Sequence, residues 1–165
     1  FYRKINKMKK IKLTQDKFAL VDNGDFEELN KFKWYVTKKR YRHYAQRDIY
    51  INGKHVHILM HRLILGTPDD AETDHINNNG LDNRRFNLRI CNQSQNNANR
   101  LKYKNNTSGF KGVFWHKQNE NWRAQIAVNK KSIHLGVFEN PQDAAITYNE
   151  AAKLYFGEFA SLNIK

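Results

Sequence analysis

Between residues 73 and 100 the chain reads TDHINNNGLDNRRFNLRICNQSQNNANR, with one histidine, two aspartates and nine asparagines. An adjacent carboxylate and imidazole, Asp74 and His75, are followed by amides at Asn87 and Asn96. Carboxylate and amide oxygens are the donors a hard divalent cation takes. A neutral imidazole, whose pKa lies near working pH, can accept a proton from water. Phosphodiester hydrolysis needs an attacking water, stabilisation of the added negative charge, and help for the departing 3′ oxygen. One oxygen-held cation can provide the last two and one imidazole the first. Any single member of this set, taken alone, reads better as loop chemistry, since asparagine forms Asx-turns and tolerates left-handed backbone.

The elements that must bring these groups together can be read on either side. Residues 11–60 have the pattern of short strands, with Asp22-Asn23-Gly24 as a turn signal and DFEELNKF as one or two helical turns. IYINGKHVHI reads as a hairpin on an Asn52-Gly53 type I′ turn, with His55 and His57 on one face towards solvent or phosphate, or less commonly a metal. ILMHRLILG fits either a buried strand or a short helix, stopped by Gly66 and Pro68. His61 within it reads first as a core residue packed under the site, and second as a nucleic-acid contact. NLRIC has strand character, and a helix is expected to follow with Ser94 as its N-cap. YKNNTSGFKG is a polar, glycine-containing connection, which places a domain boundary near residue 106.

Beyond it, KGVFWHK, NWRAQIAV and KSIHLGVF are three strands and NPQDAAITYNEAAKLYFG a helix. Asn140 suits the N-cap, Pro141 the first turn and Gly157 the C-terminal stop. Ala144, Ala145, Tyr148, Ala151, Ala152 and Tyr155 form its apolar stripe. Strand alternation places Trp122, Ala124, Ile126 and Val128 on one face, and Ile133, Leu135 and Val137 on another.

Composition narrows the partners. The 165 residues carry a net charge of +13. Residues 1–106 hold twenty-two Lys/Arg against eleven Asp/Glu, and residues 107–165 seven against five. Such an excess points to a polyanion, and beside a metal-site candidate, to nucleic acid. TKKRYRHYAQR reads as a DNA-contacting stretch or a solvated hairpin. No run of eighteen apolar residues or basic amphipathic insertion helix is present, so no membrane role is expected. FYRKINKMKK has no apolar stretch behind it and does not read as a secretory signal; residues 1–7, ahead of Met8, read as a tag or part of a longer reading frame. A lone cysteine, Cys91, excludes an internal disulfide and paired-cysteine zinc sites. It reads as a buried small apolar residue in a reducing, intracellular compartment.

With those residues in view, ETDHINNNGLDNRRFNLRICNQSQNNANR and the upstream MHRLI resemble the HNH nuclease motif of the ββα-metal superfamily, over about residues 59–100. The likeness is strongest to the phage intron-encoded nicking homing endonucleases. It implies that Asp74 and Asn96 hold one Mg2+ or Mn2+ ion, that His75 is the general base, and that Asn87 holds the His75 loop. It further implies that Arg84, Arg85 and Arg89 grip phosphate, and that the setting is a bacterial host's cytoplasm.

Residues 107–163 resemble the APETALA-two/ethylene-response-factor DNA-binding domain through Lys111-Gly112-Val113, Trp122 to Ile126, Leu135-Gly136-Val137-Phe138, DAAITYNEAA and Leu162-Asn163. That family's fold is a three-stranded antiparallel sheet backed by one helix, with the open sheet face in the major groove. Here Lys111, His116, Lys117, Arg123, Gln125, Ser132 and His134 fall on the expected outward face. Phe114, His116, Ala127, Ser132 and His134 depart from the plant pattern, so the plant target sequence does not carry over.

The expected protein is therefore α+β in both halves: a β-rich region and ββα-metal core over residues 1–106, then a βββα module over 107–165. The expected function is a metal-dependent endonuclease, monomeric on double-stranded DNA, that nicks one strand. The alternative is a non-catalytic, sequence-specific DNA-binding regulator.

Overall fold

The structure, a computed structural model, describes residues 8–39 and 41–163. The reading of residues 1–7, and Arg40 within the basic stretch, lie outside the described residues. Contacts gather the chain into two compact units, the first ending at Cys91 and the second beginning at Asn92. The second therefore begins ahead of the sequence-based boundary near 106, because Ala98 is buried among Ile126, Tyr148, Ala152 and Phe156. As expected, the class is α+β.

In the first unit, β1 (Met8–Lys12) and β2 (Phe18–Asp22) pair antiparallel and run into α1 (Asn23–Asn30). Asp22-Asn23-Gly24 is thus a helix start rather than a turn. Asp22 stands at the N-cap, but its carboxylate serves a distant group, the backbone N–H of Arg85 at 2.7 Å. A three-stranded antiparallel sheet follows, β3 (Tyr35–Lys39), β4 (Arg42–Ile51) and β5 (Lys54–Leu59), in the order β3-β4-β5. Asn52 and Gly53 both have positive φ, 49° and 76°, as the type I′ turn between β4 and β5 demands.

The ambiguous apolar run is a helix, α2 (Met60–Leu65), entered directly from β5 and stopped by Gly66 in the left-handed conformation. Then β6 (Glu72–His75) pairs antiparallel with β7 (Leu88–Cys91). One core holds these pieces: Ile11, Val21, Leu29, Trp34, Val36, Met60, Ile64 and Leu88. Each such side chain contributes roughly 1.5–3 kcal/mol when fully buried.

The second unit opens with α3 (Gln93–Ala98). Its cap is Asn92, not Ser94: Asn92 Oδ1 accepts from the Gln95 N–H while Gln95 Oε1 accepts from the Asn92 N–H, each at 2.9 Å. The strands β8 (Val113–His116), β9 (Asn121–Val128) and β10 (Lys131–Phe138) form an antiparallel sheet in the order β10-β9-β8, packed on α4 (Pro141–Phe156). Asn140 caps α4 through the Asp143 N–H at 2.9 Å.

Two details of the expected core change. The register slips between His134 and Gly136, a bulge that turns Val137 outward and brings Phe138 against the core. On α4 the stripe continues through Phe156 rather than Tyr155, since 145, 148, 152 and 156 keep one face at 3.6 residues per turn.

Two glycines give opposite expectations. A Cβ on Gly112, whose φ is +74°, would stand 2.3 Å from the Tyr148 ring and 2.6 Å from the Gln125 carbonyl oxygen. A Cβ on Gly24, inside α1, would meet nothing within 4 Å. Gly112→Ala should therefore destabilise the second unit by about 2–4 kcal/mol, whereas Gly24→Ala should stabilise the first by about 0.5–1 kcal/mol. Urea titrations followed by unit-specific amide exchange check both signs.

Candidate active site

The site begins with two buried residues at the end of one strand. The β6–β7 register sets Asp74 opposite Arg89 and His75 opposite Leu88. Arg89 donates from Nε and Nη2 to Asp74 Oδ2, at 3.0 and 2.8 Å. Little water reaches this pair, with side-chain exposures of 12% and 0%. A carboxylate so placed needs its countercharge, and Arg89 supplies it.

The imidazole of His75 lies in a cage of rings. His61, from α2, stands edge-on to it with centroids 4.9 Å apart, and Tyr44, from β4, lies 5.8 Å from His75 and 5.4 Å from His61. His75 Nε2 is 3.2 Å from Asn83 Oδ1. Asn83 is 0% exposed, and its Nδ2 donates to the Leu81 carbonyl at 3.4 Å. That bond orients the amide oxygen towards the ring. An amide oxygen only accepts, so the network assigns the imidazole proton to Nε2 and the lone pair to Nδ1. Burial holds His75 below its ordinary pKa, with the Asn83 bond opposing in part, which keeps the ring neutral at pH 7.

The loop carrying these groups is built from asparagines. Asn87, in a short 3-10 turn, accepts at Oδ1 from the Asn77 N–H at 3.0 Å. Its Nδ2 donates to Asn77 Oδ1 at 3.0 Å and to the Asp82 carbonyl at 2.8 Å. Asn77 Oδ1 also accepts from the Asn79 N–H at 2.9 Å, and Asn79 Oδ1 from the Leu81 N–H at 3.1 Å. Asn78 takes the left-handed conformation, φ 63°, and is bonded by Arg42. The loop is stitched to β2, with Leu20 N–H donating to Leu81 O and Asn83 N–H to Leu20 O, both at 2.8 Å. At its crest Gly80 touches β4 so closely that a Cβ would lie 2.4 Å from the His43 carbonyl oxygen.

Asp74, His75 and Asn87 thus share the first unit, while Asn96 is half-buried on α3 in the second. The motif's arginines are engaged by carboxylates: Arg84 by Asp82, Arg85 by Asp25 and Arg89 by Asp74. Gln125, Ser132 and His134 are exposed on the second sheet and Lys117 is exposed after β8. His116 Nδ1 accepts from the Asn119 N–H at 3.3 Å. Arg123 is half-buried, with its Nε sequestered from water. Lys111 does not extend outward: its ammonium donates to the Ala98 carbonyl at 2.5 Å, and burial lowers its pKa to about 8. Burial pushes the Cys91 thiol up to about 12, an unreactive group.

His57 Nδ1 meets Asp48 Oδ1 at 2.7 Å, and Tyr35 donates to the same oxygen at 2.7 Å; these bonds pull Asp48 down to about 2. Sequence reasoning missed Asn83, Tyr44 and Asp82. Only the density of amides around His75 hinted at the first, and nothing local pairs Tyr44 with a residue thirty-one positions later.

Burial pushes His61 down to about 3 from its ordinary 6.5, and the nearby His75 adds to the shift. In the unfolded chain the imidazole titrates near 6.5 again. A base depressed by folding contributes stability that is complete above the unfolded pKa and is lost as pH falls towards the folded one. Urea midpoints of the first unit should hold above pH 6.5 and fall between about 6.5 and about 3. His61→Phe, which keeps a ring but removes the proton site, should flatten that slope.

No family model and no solved structure matches the chain. It is 33% identical over 149 residues to an uncharacterized HNH endonuclease of Acanthamoeba polyphaga mimivirus, an alignment covering 88% of this chain and 74% of that protein. It is also 33% identical over 93 residues to Protein 3.8 of Escherichia phage T7, covering 56% of this chain and 76% of the phage protein. An alignment as long as the first necessarily includes the whole stretch from Asp74 to Asn96. On that likeness, the chain belongs to the HNH endonuclease family.

Proposed function

We propose that the protein is a metal-dependent endonuclease that hydrolyses one strand of double-stranded DNA at a specific site. The observation that carries this reading is His75: buried, adjacent to the Asp74 carboxylate, with its Nε2 3.2 Å from Asn83 Oδ1 and its pKa lowered by burial. Family membership supports nuclease chemistry, and the basic excess supports a polyanionic substrate.

In this reading Nδ1 of His75 removes a proton from water as the water oxygen forms its bond to phosphorus. The P–O3′ bond then breaks, the departing oxygen takes a proton from solvent to leave a 5′-phosphate and a 3′-hydroxyl, and the imidazole returns its own proton to solvent. Asn83 keeps Nδ1 as the basic atom, and Asn87 keeps the loop from swinging the ring away.

By donor type, the motif's two candidate ligands suit a hard cation: Asp74 and Asn96 each offer oxygen. Water would complete the shell, as suits Mg2+ or Mn2+, one ion per site. Asp74 would hold it through its carboxylate, beside the Arg89 guanidinium. Such an ion supplies charge stabilisation at the phosphate and the departing oxygen.

The βββα module then adds sequence contacts through Arg123, Gln125, Ser132 and His134, with His116 and Lys117 beside them. One site in a monomer cuts one strand; the homing role rests on the resemblance to intron-encoded relatives.

A supercoiled-plasmid assay tests the reading. Open circles should form with Mg2+, cease with chelator, and form about 10²–10⁴-fold more slowly with His75→Ala. Asn83→Ala should slow cleavage about tenfold without weakening DNA binding. Linear product would require two cooperating sites. Salt-sensitive binding without cleavage of any DNA would leave a non-catalytic regulator.

A further inference from the structure

The three-residue turn that ends in Asn87 is held with unusual force for a surface loop. Arg84 donates to Asp82 from Nε and Nη2, both at 2.7 Å. Arg85 donates to Asp25 from the same two atoms, at 2.9 and 2.7 Å, and its backbone N–H reaches Asp22 Oδ2. Asn87 makes the bonds that pin the His75 loop. Between these anchored residues stands Phe86, 65% exposed, the most exposed phenylalanine among the described residues. The Arg84 guanidinium lies over its ring, 4.6 Å from the centroid.

A phenyl ring has no polar atom to offer water, and a mobile loop would fold it down onto the surface. Here the backbone on both sides is tied, so the ring stays raised. Its neighbours cannot take over the role of gripping phosphate without giving up their carboxylates. What the turn presents outward is therefore an apolar plate backed on one side by a cation. The other side can receive a planar, electron-rich group.

We propose that Phe86 is a wedge that enters the base stack of duplex DNA beside the bond to be cut, its free face against a base and its other face supported by Arg84. This inference rests on the nuclease reading for its partner. Apolar side chains inserted between base steps partly unstack them and bend the duplex. Phe86 directly precedes Asn87, so a step opened there lies next to the His75 loop. Opening it would free the strand to bend towards the buried His75. The wedge would also favour flexible pyrimidine–purine steps, giving sequence preference without hydrogen bonds to bases.

The test uses the full chain and duplexes centred on the footprinted binding site. 2-Aminopurine is placed in turn at each position around its centre, in Ca2+ so that no strand is cut. Wild type and Phe86→Trp should raise the fluorescence at one step, and Phe86→Ala should not. In Mg2+, Phe86→Ala should cut the intact duplex about ten- to a hundredfold more slowly. An abasic site at the reporting step should bring it back to within about threefold of wild type, because the unstacking is then already done.

Equal cleavage of intact duplex by wild type and Phe86→Ala would overturn the proposal. So would an equal loss on intact and abasic duplexes, which would mark Phe86 as a support for the turn. A wild-type chain that brightens the probe but never cuts would keep the wedge and remove the nuclease reading. A chain that cuts without brightening any position would do the reverse.

Discussion

The grip of one amide on one loop underlies the site. Asn87 is buried, and all its side-chain hydrogen-bonding capacity described here is directed at residues 77 and 82. A loop packed as closely as this one cannot leave its backbone groups to water, so each must find a partner inside. Side-chain amides serve because they donate and accept within a short reach. Replace Asn87 by an apolar residue of equal size and the Asn77 N–H and Asp82 carbonyl lose their partners together. The loop that carries His75 and Asn83 would then lose the bonds that set its path.

Electrostatics follows the same economy. Asp74 is shielded from water yet stays paired because Arg89 stands directly across the β6–β7 ladder. The cross-strand register therefore sets charge as well as packing. Slip it by one residue and the carboxylate faces an apolar neighbour, which a buried anion cannot accept. His61 and His75 are tolerated as close neighbours only because burial keeps both uncharged.

Much of this was legible from local chemistry. Asn52-Gly53 favours its turn on local grounds, and Asn140-Pro141 with Gly157 marks both ends of a helix. The three strands before that helix announce themselves by alternation. Where two local signals competed, the distant partner decided. Asp22-Asn23-Gly24 could be a turn, but Asp22 finds the Arg85 amide and the chain starts a helix. Ser94 and Asn92 could each cap α3, and Asn92 prevails because Gln95 returns the bond. The bulge at Leu135 has no signature beyond Gly136. Asp74, His75 and Asn87 stood out by type and spacing, but Asn83 was one asparagine among nine, and only the folded loop singles it out.

The arginine–carboxylate pairs carry one more implication. Three of the first unit's fixed cations, Arg84, Arg85 and Arg89, already have their counter-ions built into the protein. They contribute little to the long-range field. That field comes instead from lysines on the outer strands, such as Lys10, Lys12 and Lys38, which are exposed and have no ion pair among those described. Ion release on meeting a polyanion, and hence the steepness with which salt weakens the encounter, is therefore governed by residues outside the motif. The motif's arginines set shape at short range, while the exposed lysines outside it set the long-range field.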